Sequence, residues 1–305
     1  MMVTWNALAM LFLVLVISPA LPGIATKTKS WLTGRQGAPV LQLYFDLAKL
    51  LRKDSVYSTT TTWVFRAGPV VVLGAILVAA LFLPLDGRVA PLRFEGDLVA
   101  FAALFALARF ALVLAGLDTG SSFEGMGASR EVTFATFAEP VLFLCFTALV
   151  LVTGQLSLSG MLGAPLLSAW PHAAAPLTLV GMSLFVLLLA ENSRVPVDDP
   201  MTHLELTMIH EVIVLDHSGP DLAVILYASA VKLGLFSALL VCVMVPRAGL
   251  SEPVSAVVLL LGLGATAIGV GIVESTMARL RLTRVPQLLV GAGAMALFGI
   301  ILLLR

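Results

Sequence analysis

Residues 190–221 read AENSRVPVDDPMTHLELTMIHEVIVLDHSGPD and lie between two apolar runs, 176–191 and 222–245. The contrast decides the fold class. The chain is 59% hydrophobic and 12% charged over 305 residues. This one stretch nevertheless holds seven of its eighteen acids: Glu191, Asp198, Asp199, Glu205, Glu211, Asp216 and Asp221. It also holds three of the four histidines and a single base, Arg194. Acids gathered between two membrane spans point to a proton path or to a docking surface for a soluble partner.

A mean hydropathy of +1.04 marks an integral membrane protein. Soluble domains carry about 25% charged residues, twice the fraction here. The formal net charge is zero, which gives no case for nucleic acid. Cys145 and Cys242 stand far apart inside apolar runs, so they suggest core residues and not a disulfide, a zinc site or an iron–sulfur cluster. The first apolar run lacks a basic leader and reads as a retained span.

A bilayer crossing needs about 20 apolar residues. Eight runs qualify: 3–21, 67–85, 98–117, 134–153, 176–191, 222–245, 254–273 and 287–304. In lipid the backbone must close its own hydrogen bonds, and the runs lack barrel alternation, so these are helices. The expected fold is all-α: one membrane domain over residues 1–305, with about eight transmembrane helices and an interfacial amphipathic helix. The odd loops carry most of the Lys and Arg, from Lys27 to Arg284. The even loops carry Arg88, Arg93 and Arg247. The odd loops are therefore expected in the cytoplasm and both termini outside.

Several charges fall inside spans. Arg109 interrupts the third, Glu139 the fourth and Lys232 the sixth, while Glu191 and Glu274 end the fifth and seventh. A charge at the bilayer centre costs about 2.5–3.5 kcal/mol on insertion scales, so such groups normally pair inside the bundle. The three glutamates all fall in the cytoplasmic half, with Arg109 and Lys232 as candidate partners. Two readings stand: ion pairs that fix helix packing, or carboxylates that carry protons. Burial raises a carboxylate's pKa and a nearby cation lowers it, which can leave it titratable near neutral pH.

The loops add detail. Val40, Tyr44, Leu47 and Leu51 share one helical face, which predicts an amphipathic helix at the interface. His203, His210 and His217 recur every seven residues. On a helix of roughly 202–215 and its margins they would form a stripe. Seven residues rise about 10.5 Å, too far for two ligands of one ion. A face that meets a partner is the better reading, and no metal site is expected. Gly262, Gly264, Gly269, Gly271, Gly291 and Gly293 suggest close helix packing. No P-loop, nucleophile triad or metal cage is present, so no catalytic residue is assigned.

With these residues in view, the chain resembles the membrane subunit shared by respiratory complex I (its H, or first, subunit) and membrane-bound nickel–iron hydrogenases. GRQGAP (34–39) resembles the family's first cytoplasmic loop, and AGLDTGSSFEGMGASREVTFATFAEP (115–140) its third. AENSRVPVDDP resembles its AETNR-type signature, and VESTMARLRLTRVPQLL (273–289) its late basic loop. The variant THLELTMIHEVIVLDHSGPDLA (202–223) is similar to the formate hydrogenlyase subunit 4 and hydrogenase-4 type, not to the usual complex I pattern. Lys232 stands where that pattern tends to show an acid.

The resemblance implies a subunit without a redox centre of its own. It would anchor a peripheral redox arm and couple electron transfer to ion translocation. It implies Glu139, Glu191, Arg194, Asp198, Asp199, Glu205 and Glu211 as the proton path or its mouth; Glu274 joins them by its place at a span end, with Arg109, Arg194 and Lys232 as charge partners. Arg35, Gly37, His203, His210, His217, Arg279, Arg281 and Arg284 would meet the peripheral arm. The implied partners are hydrogenase large and small subunits, a ferredoxin-like iron–sulfur subunit and antiporter-like membrane subunits. Iron–sulfur clusters and the nickel–iron site would sit on those partners, in a bacterial or archaeal cell membrane. Two alternatives stay open: a complex I subunit forming part of a quinone site, and a passive scaffold whose acids only dock the arm.

Overall fold

The computed structural model describes residues 5–198 and 208–304, so Asp199, His203 and Glu205 lie outside the described residues. Among the described residues the elements are helical throughout. In chain order they are α1 (Trp5–Ile17), α2 (Ala20–Leu32), α3 (Gln42–Leu50), α4 (Trp63–Ala80), α5 (Asp97–Asp118) and α6 (Ser122–Thr153). There follow α7 (Leu158–Met161), α8 (Ala164–Glu191), α9 (His210–Ile213), α10 (Gly219–Met244), α11 (Glu252–Thr276) and α12 (Val285–Leu303). Among the described residues seven helices are each long and apolar enough to cross a membrane, and α1 with α2 makes an eighth if the bent pair is one span. That agrees with the eight spans expected.

The boundaries differ where proline and polar side chains intervene. The first span does not stop at residue 21. Pro19 has no N–H and crowds the preceding turn, so the helix breaks there and resumes as α2 with a bend of 45°. The Ser18 hydroxyl joins its own N–H on the Val14 carbonyl at 2.7 Å, and the Tyr227 hydroxyl donates to the Leu15 carbonyl at 3.3 Å. The fifth span, expected to be the shortest, starts at Ala164 and runs 28 residues. It kinks at Ala173 (φ −122°, ψ 25°), close ahead of Pro176, whose missing N–H removes a helix bond. At 32 residues α6 is about 48 Å long, well beyond a hydrocarbon core of about 30 Å. Its first turns therefore project past the bilayer and carry most of what reads in sequence as the third loop.

The central helix is α10, whose apolar window is more enclosed than that of any other span. It packs on α4, α8 and α11, while α6, α8 and α12 form a neighbouring layer. Gly262 and Gly271 mark close approaches, since a Cβ there would stand 2.6 Å from Val241 and 2.5 Å from the Ala25 carbonyl. Gly264 and Gly291 face open space, so close packing does not account for them. The amphipathic helix forms as α3, lying against α2 and α10. Its Tyr44 hydroxyl donates to the Val16 carbonyl.

Arg247, counted above as a loop base, is buried. It donates to the Leu85 carbonyl at 2.9 Å and closes the end of the bundle away from the acidic loop.

The loop of 192–217 departs furthest from expectation. Among the described residues its helix is α9 alone, and Met208 and Ile209 are not helical. Side chains have taken the backbone groups that a longer helix would use. Asp198 accepts from the N–H of Ile209 at 2.9 Å and of His210 at 3.3 Å. Arg130 Nη1 donates to the Met208 carbonyl at 2.7 Å. Met208, Ile209, Val212 and Ile213 are buried. Gly127 on α6 admits them: a Cβ there would stand 2.3 Å from Val212 and 3.0 Å from the Ile209 carbonyl.

Candidate functional site: a paired-charge core beneath the acidic loop

Four helices bring their intramembrane charges to one place. Glu191, at the end of α8, accepts from Arg109 Nη2 at 2.5 Å and lies 2.7 Å from Lys232 Nζ. Arg109, on α5, also reaches Glu139 on α6, with Nη1 to Oε1 at 2.6 Å. Its Nε faces Glu131 at 3.5 Å. The result is a continuous line of contacts, Lys232–Glu191–Arg109–Glu139, with Glu131 at its side. Among the described residues two bases meet three acids, an excess of one negative charge when all are ionised.

Burial grades along this line. The side chains of Glu191 and Arg109 are 6% and 8% exposed, and that of Glu139 is 44% exposed. Glu139 opens on an outer groove of about 510 Å³ that also exposes Phe110 and Phe143. The line therefore runs from the middle of the bundle to its flank.

A second cluster lies under the acidic loop. Arg279 Nη2 stands 2.9 Å from Asp198 Oδ1, and Arg194 Nη1 stands 3.4 Å from Glu274 Oε1. The Leu280 N–H donates to the Pro196 carbonyl at 2.9 Å. The late basic loop thus binds the signature loop of its own chain. Arg279, expected at the peripheral arm, turns inward, because a carboxylate is within reach there and Asp198 is buried. Arg35, Arg281 and Arg284 are exposed. Gly37 is half-buried and packs on α2, where a Cβ would stand 2.1 Å from Ser30 Oγ.

Among the described residues, His210 and His217 do not share a helix. His217 lies beyond α9, is 3% exposed, and stacks on Phe65 with ring centroids 4.0 Å apart. Burial pushes its pKa down to about 4 against the opposing pull of Asp221 and Asp216. Its ring is enclosed by its own chain and presents no face to a partner. His210 is half-buried and lines two cavities between the clusters. The first, about 30 Å³, is also lined by Arg109, Glu131, Glu191 and Lys232. The second, about 160 Å³, is also lined by Arg194, Asp198 and Glu211. A water needs about 10–15 Å³ of such space and two or more polar partners, so both can hold water.

These cavities bear on cofactors. Pockets for small ligands run from about 300 to 1,000 Å³. At about 160 Å³, with charged walls, the larger of the two is smaller than such a pocket, while the outer groove beside Glu139, about 510 Å³, falls within that range. Among the described residues, no group of three or more His, Cys, Asp or Glu could hold a metal ion.

Sequence reading missed Glu131. It sits eight residues before Glu139, a little over two turns away and about 80° round the helix, within one broad stripe. That spacing becomes informative only once α6 is known to run unbroken through the third loop.

Fold and site together define a polytopic helical membrane protein with a buried, paired-charge core beneath an acidic loop. A family model described as NADH dehydrogenase matches residues 5–304. Hydrogenase-4 component C of Escherichia coli (strain K12) is 33% identical over 90% of this chain and 87% of its own length. Formate hydrogenlyase subunit 4 of the same organism is 33% identical over 89% of each. The H subunit of the NADH-quinone oxidoreductase of Polaromonas naphthalenivorans (strain CJ2) is 26% identical over 70% of this chain and 61% of its own length. The chain belongs to the NADH dehydrogenase family, of the complex I subunit 1 (H) type. The fold agrees with a solved structure described as the membrane-bound sulfane sulfur reductase (MBS), an archaeal respiratory membrane complex. Its TM-score is 0.84 at 20% identity, covering 98% of both chains.

Proposed function

We propose that this chain is the non-catalytic membrane subunit of a nickel–iron hydrogenase complex of the formate hydrogenlyase or hydrogenase-4 kind. It anchors a peripheral redox arm and passes protons through its buried carboxylates toward neighbouring membrane subunits. The observation that carries the relay is the line Lys232–Glu191–Arg109–Glu139, which links the enclosed cavities to the flank of the bundle. One surplus carboxylate among these groups can hold a proton without leaving a cation unpaired. Asp198, Glu211 and Glu274 belong to the mouth of the path, with Asp199 and Glu205 as further acids of the same loop.

The hydrogenase branch is favoured over complex I by 33% identity across almost the whole chain, against 26% over a shorter match. The partners that follow are hydrogenase large and small subunits, a ferredoxin-like iron–sulfur subunit and antiporter-like membrane subunits. Those partners carry the iron–sulfur and nickel–iron centres. The acidic loop faces the cytoplasm and both termini face outward, as the Lys and Arg distribution requires. Exposed Arg35, Arg281 and Arg284 then offer the arm a basic surface.

Glu191→Gln tests the relay. The variant keeps assembly and hydrogen evolution from reduced viologen, which needs only the arm, and loses proton translocation driven by the native donor. Full translocation in assembled Glu191→Gln complex would show that the acids serve docking alone.

A further inference from the structure

The two cavities of the site share few lining residues, and one of those can titrate. Asn192, Ser193, Ile225 and Ser229 form the common wall, and His210 stands in it. On one side the cavity meets Arg109 of α5, Glu131 of α6, Glu191 of α8 and Lys232 of α10. On the other it meets Arg194 and Asp198 of the signature loop and Glu211 beside His210 on α9. Among the described residues no carboxylate is common to both linings, and His210 is the titratable side chain they share.

We infer that His210 carries the proton across this wall, joining the acids of the loop to the Glu191 cluster. The inference rests on the relay reading above and names its connecting residue. The step balances within the ring. The bare imidazole nitrogen takes a proton from the loop side. The other nitrogen then gives its proton to the Glu191 side, and a ring turn or tautomer exchange restores the start. The 30 Å³ cavity has room for a water that completes the contact. The backbone is built for the position: Asp198 accepts from the N–H of His210 at 3.3 Å and ties α9 to the loop acid. The charges on the ring also come from both sides. Burial lowers its pKa, Glu131 and Asp198 raise it, and Lys232 lowers it.

The test uses the whole complex in inverted membrane vesicles, with acidification followed by a pH-sensitive dye and divided by the amount of assembled complex. His210→Gln keeps polarity but cannot titrate, and is expected to lose roughly tenfold or more of translocation per electron pair. Viologen-driven hydrogen evolution stays unchanged. His210→Glu restores a carrier and is expected to translocate with its pH profile moved toward acid by about two units, the gap between a carboxylate and an imidazole. Either variant alone decides if the other fails to assemble. Full coupling in His210→Gln, an unmoved profile in His210→Glu, or equal loss in both overturns the assignment, since a packing group is not replaced by another carrier. Glu191→Gln is measured beside them. If it abolishes translocation while His210→Gln does not, the relay stands and His210 is not in it. If Glu191→Gln pumps fully, the relay itself fails.

Discussion

Lys232 Nζ, midway along α10, lies 2.7 Å from Glu191 at the end of α8. Neither residue's neighbours in sequence suggest the other, yet the pair ties the central helix to the acidic loop. Lys232 has a carboxylate here, and Glu191 is held between two cations instead of one.

Lys232→Ala therefore removes one of two cations from a nearly buried carboxylate. Breaking a buried pair outright costs roughly 3–5 kcal/mol, and the surviving Arg109 contact should hold the loss to about 1–3 kcal/mol. Thermal unfolding of the detergent-solubilised complex would read this as a lowered midpoint, recovered by Lys232→Arg. An unchanged midpoint for Lys232→Ala would mean that the pair contributes nothing to packing.

Asp198 both pairs with Arg279 and holds the backbone of Ile209 and His210. Asp198→Ala should release the late basic loop and the 208–217 segment together. Charge-assisted hydrogen bonds are worth about 1.5–3 kcal/mol each. Hydrogen exchange at Ile209 and His210 should rise, and limited proteolysis should cut the segment faster. Arg279→Ala should accelerate exchange less, because the backbone bonds to Asp198 survive.

Gly127 admits the Val212 side chain where a Cβ would stand 2.3 Å away. Gly127→Ala overpacks that contact, at a cost of about 1–3 kcal/mol. The movable partner is a valine methyl on a four-residue helix, so α9 is expected to shift before α6 does. A spin label at the exposed Leu215 would report that shift as a changed distance to a label on α6.

His217 gives the stability a pH dependence. Its folded pKa, about 4, lies below the ordinary value of 6.5. In that window the unfolded chain binds the extra proton, so stability rises with pH. The contribution is complete above about 6.5 and is lost as pH falls toward 4. His217→Phe keeps a stacking partner for Phe65 and removes the titration. Its unfolding midpoint should vary less with pH across this range than that of the wild type, and an identical acid slope would assign the effect to other groups.

The membrane class, the eight candidate spans and the amphipathic α3 were legible in sequence, because length and apolarity fix them locally. Charges inside spans were legible as anomalies that must pair, since lipid leaves them no other solvent. Their partners were not legible. Arg109 had acids to choose from on several helices, and Glu131 was hidden in what reads as a loop. The helix expected at 202–215 failed over residues 208 and 209 for the same reason: Asp198 and Arg130 are distant in sequence and adjacent in space.

Sequence alone determined what this chain is. Hydropathy sets the spans, and local wording such as AENSRVPVDDP and THLELTMIHE places it in its family and favours one branch. Tertiary structure alone decided where its charges sit and what they touch. It turned Arg279 inward, enclosed His217 and set His210 in the wall between two cavities. The physical reason is the range of the forces. Hydrophobic burial is summed along a segment and can be read from it. Ion pairs and cavities depend on separations of a few ångströms between helices, which only packing fixes.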